Sequence, residues 1–84
     1  MREVTVYTTH GCGYCTRVKM LLKARGIEFH EENLAGNPDA VVELRERTGM
    51  MTLPQVLVGS VLIGGYDETA AADASGMLAD LLED

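Results

Sequence analysis

Val4-Thr5-Val6-Tyr7-Thr8-Thr9-His10-Gly11-Cys12-Gly13-Tyr14-Cys15 is the stretch that decides the architecture. A β-branched apolar run passes through a short turn into a Cys-x-x-Cys pair, and a helical pattern begins inside that pair. Residues 3–8 read as a buried strand. From Gly13 to Arg25 the apolar positions 14, 18, 21 and 22 follow helical spacing, and Gly26 supplies the stop. The chain's only two cysteines therefore sit at a strand-to-helix turn.

Downstream of the stop, residues 27–32 alternate apolar and polar and suggest a second strand. Asn37-Pro38-Asp39 starts a helix, with Asn as cap, Pro at the first helical position and an acid near the positive end of the dipole. That helix should carry Val41 and Leu44 inward and end at Gly49. The apolar runs 55–58 and 61–63 are separated by Gly59-Ser60, a two-residue hairpin turn. Asp67 is expected to cap a short alanine-rich helix, and Ser75 another that carries Met77, Leu78, Leu81 and Leu82. The order is β-α-β-α-β-β-α. A right-handed crossover makes the first two strands parallel, and the hairpin adds an antiparallel pair. The expected fold class is α/β: a thioredoxin-like, four-stranded mixed sheet with helices on both faces.

Eighty-four residues are expected to form a single domain over 1–84. The sequence shows neither a charged-then-apolar leader nor a long apolar run, so we expect no signal peptide, no membrane partner and a cytoplasmic location. There, a Cys-x-x-Cys pair is more often redox-active or metal-binding than a structural staple. The net charge of −6 argues against nucleic acid as a partner. Its distribution is more telling: four of the seven basic side chains, and none of the thirteen acidic ones, lie between Val4 and Ile27. Arg17, Lys19, Lys23 and Arg25 thus put positive charge beside the cysteines, where it favours a thiolate and attracts an anionic thiol such as glutathione. Lys23 and Arg25 read equally well as a solvated helix face.

Cys12 falls just before the first helical turn, where unpaired N–H groups and the dipole favour negative charge. Its thiol should ionise more easily than free cysteine, whose pKa is roughly 8.5, and the thiolate is the attacking species. Cys15 lies one turn further in, more enclosed and within disulfide reach. Cys12 attacking and Cys15 resolving is the natural division of labour. A zinc site built from His10, Cys12, Cys15 and His30 is the rival, but the spacing lacks a second knuckle, so no metal site is expected. His10 reads as a surface residue. A purely structural disulfide would close too small a loop to constrain the unfolded chain. Thr52-Leu53-Pro54 is an ordinary turn signal by itself. In this architecture, however, it lands beside the cysteine turn, where a cis bond would leave the Leu53 N–H and C=O to pair an extended peptide. Gly64-Gly65-Tyr66-Asp67 is a strand end running into a helix. It offers N–H groups to a carboxylate and the Asp67 side chain to an ammonium, as an amino-acid zwitterion requires.

Together these elements resemble the small bacterial-type dithiol glutaredoxins over essentially the full length. Three stretches carry the resemblance: Cys-x-Tyr-Cys after the first strand, Thr52-Leu53-Pro54-Gln55, and Ile63-Gly64-Gly65-Tyr66-Asp67-Glu68. It implies a glutathione-dependent oxidoreductase that maintains cell redox homeostasis, with Cys12 as nucleophile and Cys15 resolving. Glutathione would be a co-substrate and not a tightly bound cofactor. Tyr14, Thr52 and Leu53 would line its groove, Pro54 would be cis, and Gly65, Tyr66 and Asp67 would hold its γ-glutamyl end. Arg17 would give electrostatic support. The expected partners are glutathionylated or disulfide-bonded proteins and, indirectly, glutathione reductase, with the chain acting as a monomer.

Three departures stand out. Gly13 occupies the usual proline position, Thr9 a frequent lysine position and Met50 a frequent arginine position. Family members with Gly or Ser after the first cysteine include some that share a [2Fe–2S] cluster between two subunits, so the alternative is a cluster carrier or sensor with Cys12 as ligand. Some close Cys-Gly-Tyr-Cys relatives serve mycothiol instead of glutathione.

Overall fold

A computed structural model describes residues 2–83. The elements run β1 (Val4–Thr8), α1 (Gly13–Ala24), β2 (His30–Asn33), α2 (Pro38–Thr48), β3 (Gln55–Val58), β4 (Val61–Gly64), α3 (Tyr66–Ser75) and α4 (Met77–Leu82). The strands form one sheet in the order β2-β1-β3-β4. β1 pairs with β2 in parallel and with β3 antiparallel, and β3 pairs with β4 as a hairpin. This is the mixed, thioredoxin-like sheet the sequence implied.

The core lies on one face. Register pairs Val4 with Val58 and Val6 with Val56, so these four side chains share a side of the sheet. Val18 and Leu22 of α1, Ala72 of α3 and Leu78 of α4 close over them. β3 is buried at all four positions, so its other face must be covered too. Leu34, Leu44 and Leu57 are buried outside that cluster, which leaves α2, carrying Leu44, for the second face.

Local chemistry explains where the helices start and stop. Asn37 Oδ1 accepts the Ala40 N–H at 3.2 Å with Pro38 at the first helical position, and α2 ends at Gly49, as expected. α1 closes through paired bonds: Gly26 N–H to Lys23 O at 3.0 Å and Ile27 N–H to Leu22 O at 2.9 Å. That pattern needs a left-handed residue, which Gly26 supplies with φ 69°.

Several expectations shift. The buried stripe of α1 is Cys15, Val18 and Leu22, whereas Tyr14 turns to solvent and Leu21 is half-buried. Val41 of α2 is likewise only half-buried. The second strand starts at His30, because Ile27 is drawn into the turn ending α1 and, with Phe29, packs against the core ahead of the strand. The cap of α3 is Gly65 and not Asp67, since the Glu68 carboxylate takes the Gly65 N–H and draws Asp67 into the first turn. The last helical stretch breaks at Gly76, the N-cap residue of α4. Ser75 nonetheless contributes, its hydroxyl oxygen accepting the Met77 N–H at 3.3 Å. Arg25 is not a bare solvated side chain: its Nε donates to both carboxylate oxygens of Asp73 at 3.0 Å, tying α1 to α3. No helix among the described residues is long and apolar enough to cross a membrane.

One polar network joins the sheet to α1. The buried Thr8 hydroxyl donates to Glu31 Oε2 at 2.7 Å, and Lys19 Nζ of α1 meets the same oxygen at 3.1 Å. The Thr8 hydrogen bond, then the Lys19 ammonium, hold the Glu31 carboxyl below the ordinary glutamate range. Its stabilisation is therefore complete above that range and is lost as pH falls through the lowered value. Glu31→Gln should lower the melting temperature modestly at neutral pH, as partly exposed pairs do. The gap from wild type should narrow as pH falls below the ordinary glutamate range and through the lowered value. Thermal melts of both proteins across that interval check this, and a gap that did not change with pH would contradict it.

Candidate active site

Cys12 is the N-cap of α1, held extended at φ −105° and ψ 102°. Its Sγ accepts the Cys15 N–H at 3.0 Å, the place a serine or aspartate oxygen usually fills. Negative charge on that sulfur is stabilised by this N–H and by the positive end of the helix. Cys15 is only 2% exposed, whereas Cys12 is half-buried. The two are joined in a disulfide with Cα atoms 5.2 Å apart, so the oxidised state is the one described. A thiol that attacks a substrate must be reachable; one that attacks only its neighbour need not be. The burial difference matches those two roles.

Facing Cys12 across the turn is the loop before β3. The Leu53–Pro54 peptide bond is cis, and the Leu53 carbonyl oxygen lies 3.8 Å from Cys12 Sγ. In the disulfide this is contact only, since the sulfur has no hydrogen; the reduced thiol can donate there. Leu53 also joins Cys12 to a neighbouring groove of about 410 Å³, within the size range of ligand sites. Tyr14 contributes to the wall from α1, and Thr52, Leu53 and Pro54 from the loop. Gly65, Tyr66, Asp67 and Glu68 complete it from the start of α3. All seven residues expected around a bound thiol are therefore brought together. Neither this groove nor a larger hollow of about 740 Å³ between α1 and the approach to β2 has a cysteine in its wall, but the smaller groove shares Leu53 with Cys12.

Tyr14, 56% exposed, leans its ring toward that of Tyr66, with centroids 6.0 Å apart. Arg17 is not on the groove wall; its guanidinium lies 5.3 Å from the centre of the Tyr14 ring, a cation–π arrangement. Both charged side chains on the wall are carboxylates, Asp67 and Glu68. His10 is exposed in the preceding turn, and His30 pairs with Glu32 at 2.7 Å. Among the described residues no three His, Cys, Asp or Glu side chains converge.

Glu68 is the wall residue that sequence reasoning missed. Its Oε1 accepts the Gly65 N–H at 2.7 Å, so Gly65 offers the groove its backbone surface and no free donor. Tyr66 and Asp67 follow in the first turn of α3, where backbone N–H groups have no carbonyl partner within the helix. The signal was present as a glutamate three residues after a cap. β4 enters this turn through a bulge: Val56 faces Gly64 and Leu57 faces Leu62, leaving Ile63 without an opposite residue.

Comparison with known proteins gives a consistent answer. The glutaredoxin family model matches residues 4–63. The chain is 40% identical over 83 residues to glutaredoxin 3 of Escherichia coli (strain K12), covering 99% of this chain and 100% of that one. It is 39% identical over 82 residues to a glutaredoxin of Pseudomonas aeruginosa, covering 98% of each. Among solved structures, that of a buckwheat glutaredoxin–glutathione complex superposes with a TM-score of 0.87 at 32% identity, covering 96% of this chain and 76% of that one.

The turn leading into α3 leaves no room for a side chain at Gly64. Its φ is 131°, and an added Cβ would lie 2.9 Å from Glu68 Cβ, Cγ and Oε1. Gly64→Ala should reduce unfolding free energy by about 1–3 kcal/mol, from backbone strain and this clash together. Urea denaturation measures it; an unchanged midpoint would mean that the turn yields freely.

Proposed function

Because this chain belongs to the glutaredoxin family and is a thiol–disulfide oxidoreductase, we propose that glutathione is its electron donor and that protein–glutathione mixed disulfides and protein disulfides are its substrates. The groove beside Cys12 carries this reading. At one end stand the Tyr66 and Asp67 N–H groups and the Asp67 carboxylate, complementary to the carboxylate and ammonium of a γ-glutamyl group. At the other end the Leu53 backbone lies against the reactive sulfur and can pair with the glutathione cysteine. Tyr14 and Tyr66 flank the path between them. A reducing compartment such as the cytoplasm supplies the setting, since electrons must return through reduced glutathione.

The reaction runs as two exchanges. The Cys12 thiolate attacks the glutathionyl sulfur of the mixed disulfide; that bond forms as the protein–glutathione bond breaks, and the departing protein thiolate takes a proton. A second glutathione, as thiolate, attacks the sulfur carried by Cys12, giving glutathione disulfide and restoring the Cys12 thiolate. On a protein disulfide, Cys12 forms a mixed disulfide with the substrate. Cys15 then attacks Cys12 Sγ and releases the second substrate thiol, leaving the Cys12–Cys15 disulfide described above. Two glutathione molecules reduce it.

Turnover of a glutathionylated peptide, coupled to glutathione reductase and NADPH consumption, tests the reading. Cys12→Ser should abolish both activities, while Cys15→Ser should retain deglutathionylation and lose reduction of protein disulfides. Asp67→Ala should raise KM for the glutathionylated peptide about tenfold, the effect of one charge-assisted hydrogen bond. Negligible wild-type turnover, or turnover by Cys12→Ser, would overturn the assignment.

A further inference from the structure

Gln55 opens β3 at 1% exposure, and nothing in the chemistry above uses it. Its Nε2 donates to Met50 O at 3.3 Å and to Thr52 O at 3.1 Å, so both amide hydrogens go to the loop that leads to Leu53 and Pro54. Its Oε1 is buried without a partner. Exchanging the two amide atoms would set an oxygen against two carbonyl oxygens, so the assignment holds. Loops normally turn their carbonyls to water. Here the carbonyls on either side of Met51 turn inward onto one side chain, while Met51 itself stands 65% exposed. A carboxamide nitrogen is uncharged and carries two N–H donors, which is what two inward carbonyls need. An apolar residue would fill the space without an orphaned oxygen but would leave both carbonyls unpaired.

We propose that Gln55 is a positioning residue of the active site: its carboxamide draws in the Met50–Thr52 backbone so that the Leu53 carbonyl stands against Cys12 and the Thr52–Pro54 wall keeps its place in the groove. The effect on substrate rests on the glutathione reading above, whereas the effect on Cys12 rests on geometry alone. A carbonyl oxygen 3.8 Å from the sulfur favours the protonated thiol and opposes the thiolate, the reverse of the Cys15 N–H. Gln55 thereby sets the groove wall and restrains ionisation of the nucleophile at the same time.

The test is Gln55→Met, which keeps volume and removes both donors. Alkylation rate against pH in the reduced protein reports Cys12, because Cys15 is buried. The midpoint should move to lower pH. KM for a glutathionylated peptide should rise about tenfold, with kcat changed less than about threefold. General damage to the fold would do the opposite, moving the midpoint up toward free cysteine and lowering kcat, and that result would overturn the proposal. So would an alkylation profile identical to wild type in a folded variant. Gln55→Asn, uncharged and one methylene short, provides the same readouts if the first variant does not fold. If neither folds, Gln55 is a determinant of the fold and the proposal fails. Should the wild type not turn over the peptide, the substrate reading fails alone, and the alkylation profiles still decide the role of Gln55.

Discussion

The seating of the first turn of α1 governs the molecule's chemistry. Cys12 Sγ caps that turn by accepting the Cys15 N–H, so the reactive sulfur is also the group that satisfies the helix start. Its position is only as well defined as the helix behind it. α1 is fixed along its length by Val18 and Leu22 against the valines of β1 and β3, and near its far end by Gly26 and by Arg25 on Asp73. Lys19 adds a third tether, through Glu31 to Thr8. The side chains that hold the helix therefore also hold Cys12 Sγ in place.

The groove is built differently, from three segments distant in sequence. Each is fixed by its own local device: Tyr14 by the helix it sits on, the Thr52–Pro54 wall by the buried Gln55 amide, and the start of α3 by Glu68 on the Gly65 N–H. The segments also touch. A Cβ on Gly65 would rest 3.5 Å from the Pro54 carbonyl oxygen, in ordinary van der Waals contact, so the start of α3 lies directly against the loop. Charge is divided between the two halves of the site. Basic residues line α1 next to the sulfur, and both charged residues on the groove wall are acidic. Positive charge thus lies next to the sulfur and negative charge on the groove beside it.

Much of this was legible in the chain. The Cys-x-x-Cys turn, Asn37-Pro38, the glycine stops at 26 and 49 and the Gly59-Ser60 hairpin each encode a local conformation through one or two residues, and each appears where expected. Apart from Glu68, the members of the groove were also readable, because the fold order brings the ends of those elements to one edge. Misreadings arose where two local solutions competed. Asp67 and Gly65 were both possible caps, and the reach of Glu68 decided for Gly65. Ile27 belonged to a strand by alternation and to a helix stop by hydrogen bonding, and the turn prevailed.

Spacing, capping and turn chemistry act between near neighbours, so the order of elements, the cysteine pair at a helix start and the candidate groove residues are all encoded locally in the chain. Packing in three dimensions turns Gln55 inward onto the Met50–Thr52 loop, clamps Arg25 on Asp73 and sets Arg17 over Tyr14 instead of in the groove. Those outcomes depend on which surfaces meet once the sheet has formed, and a buried donor's partner is set by the path of the backbone around it, which no local spacing records.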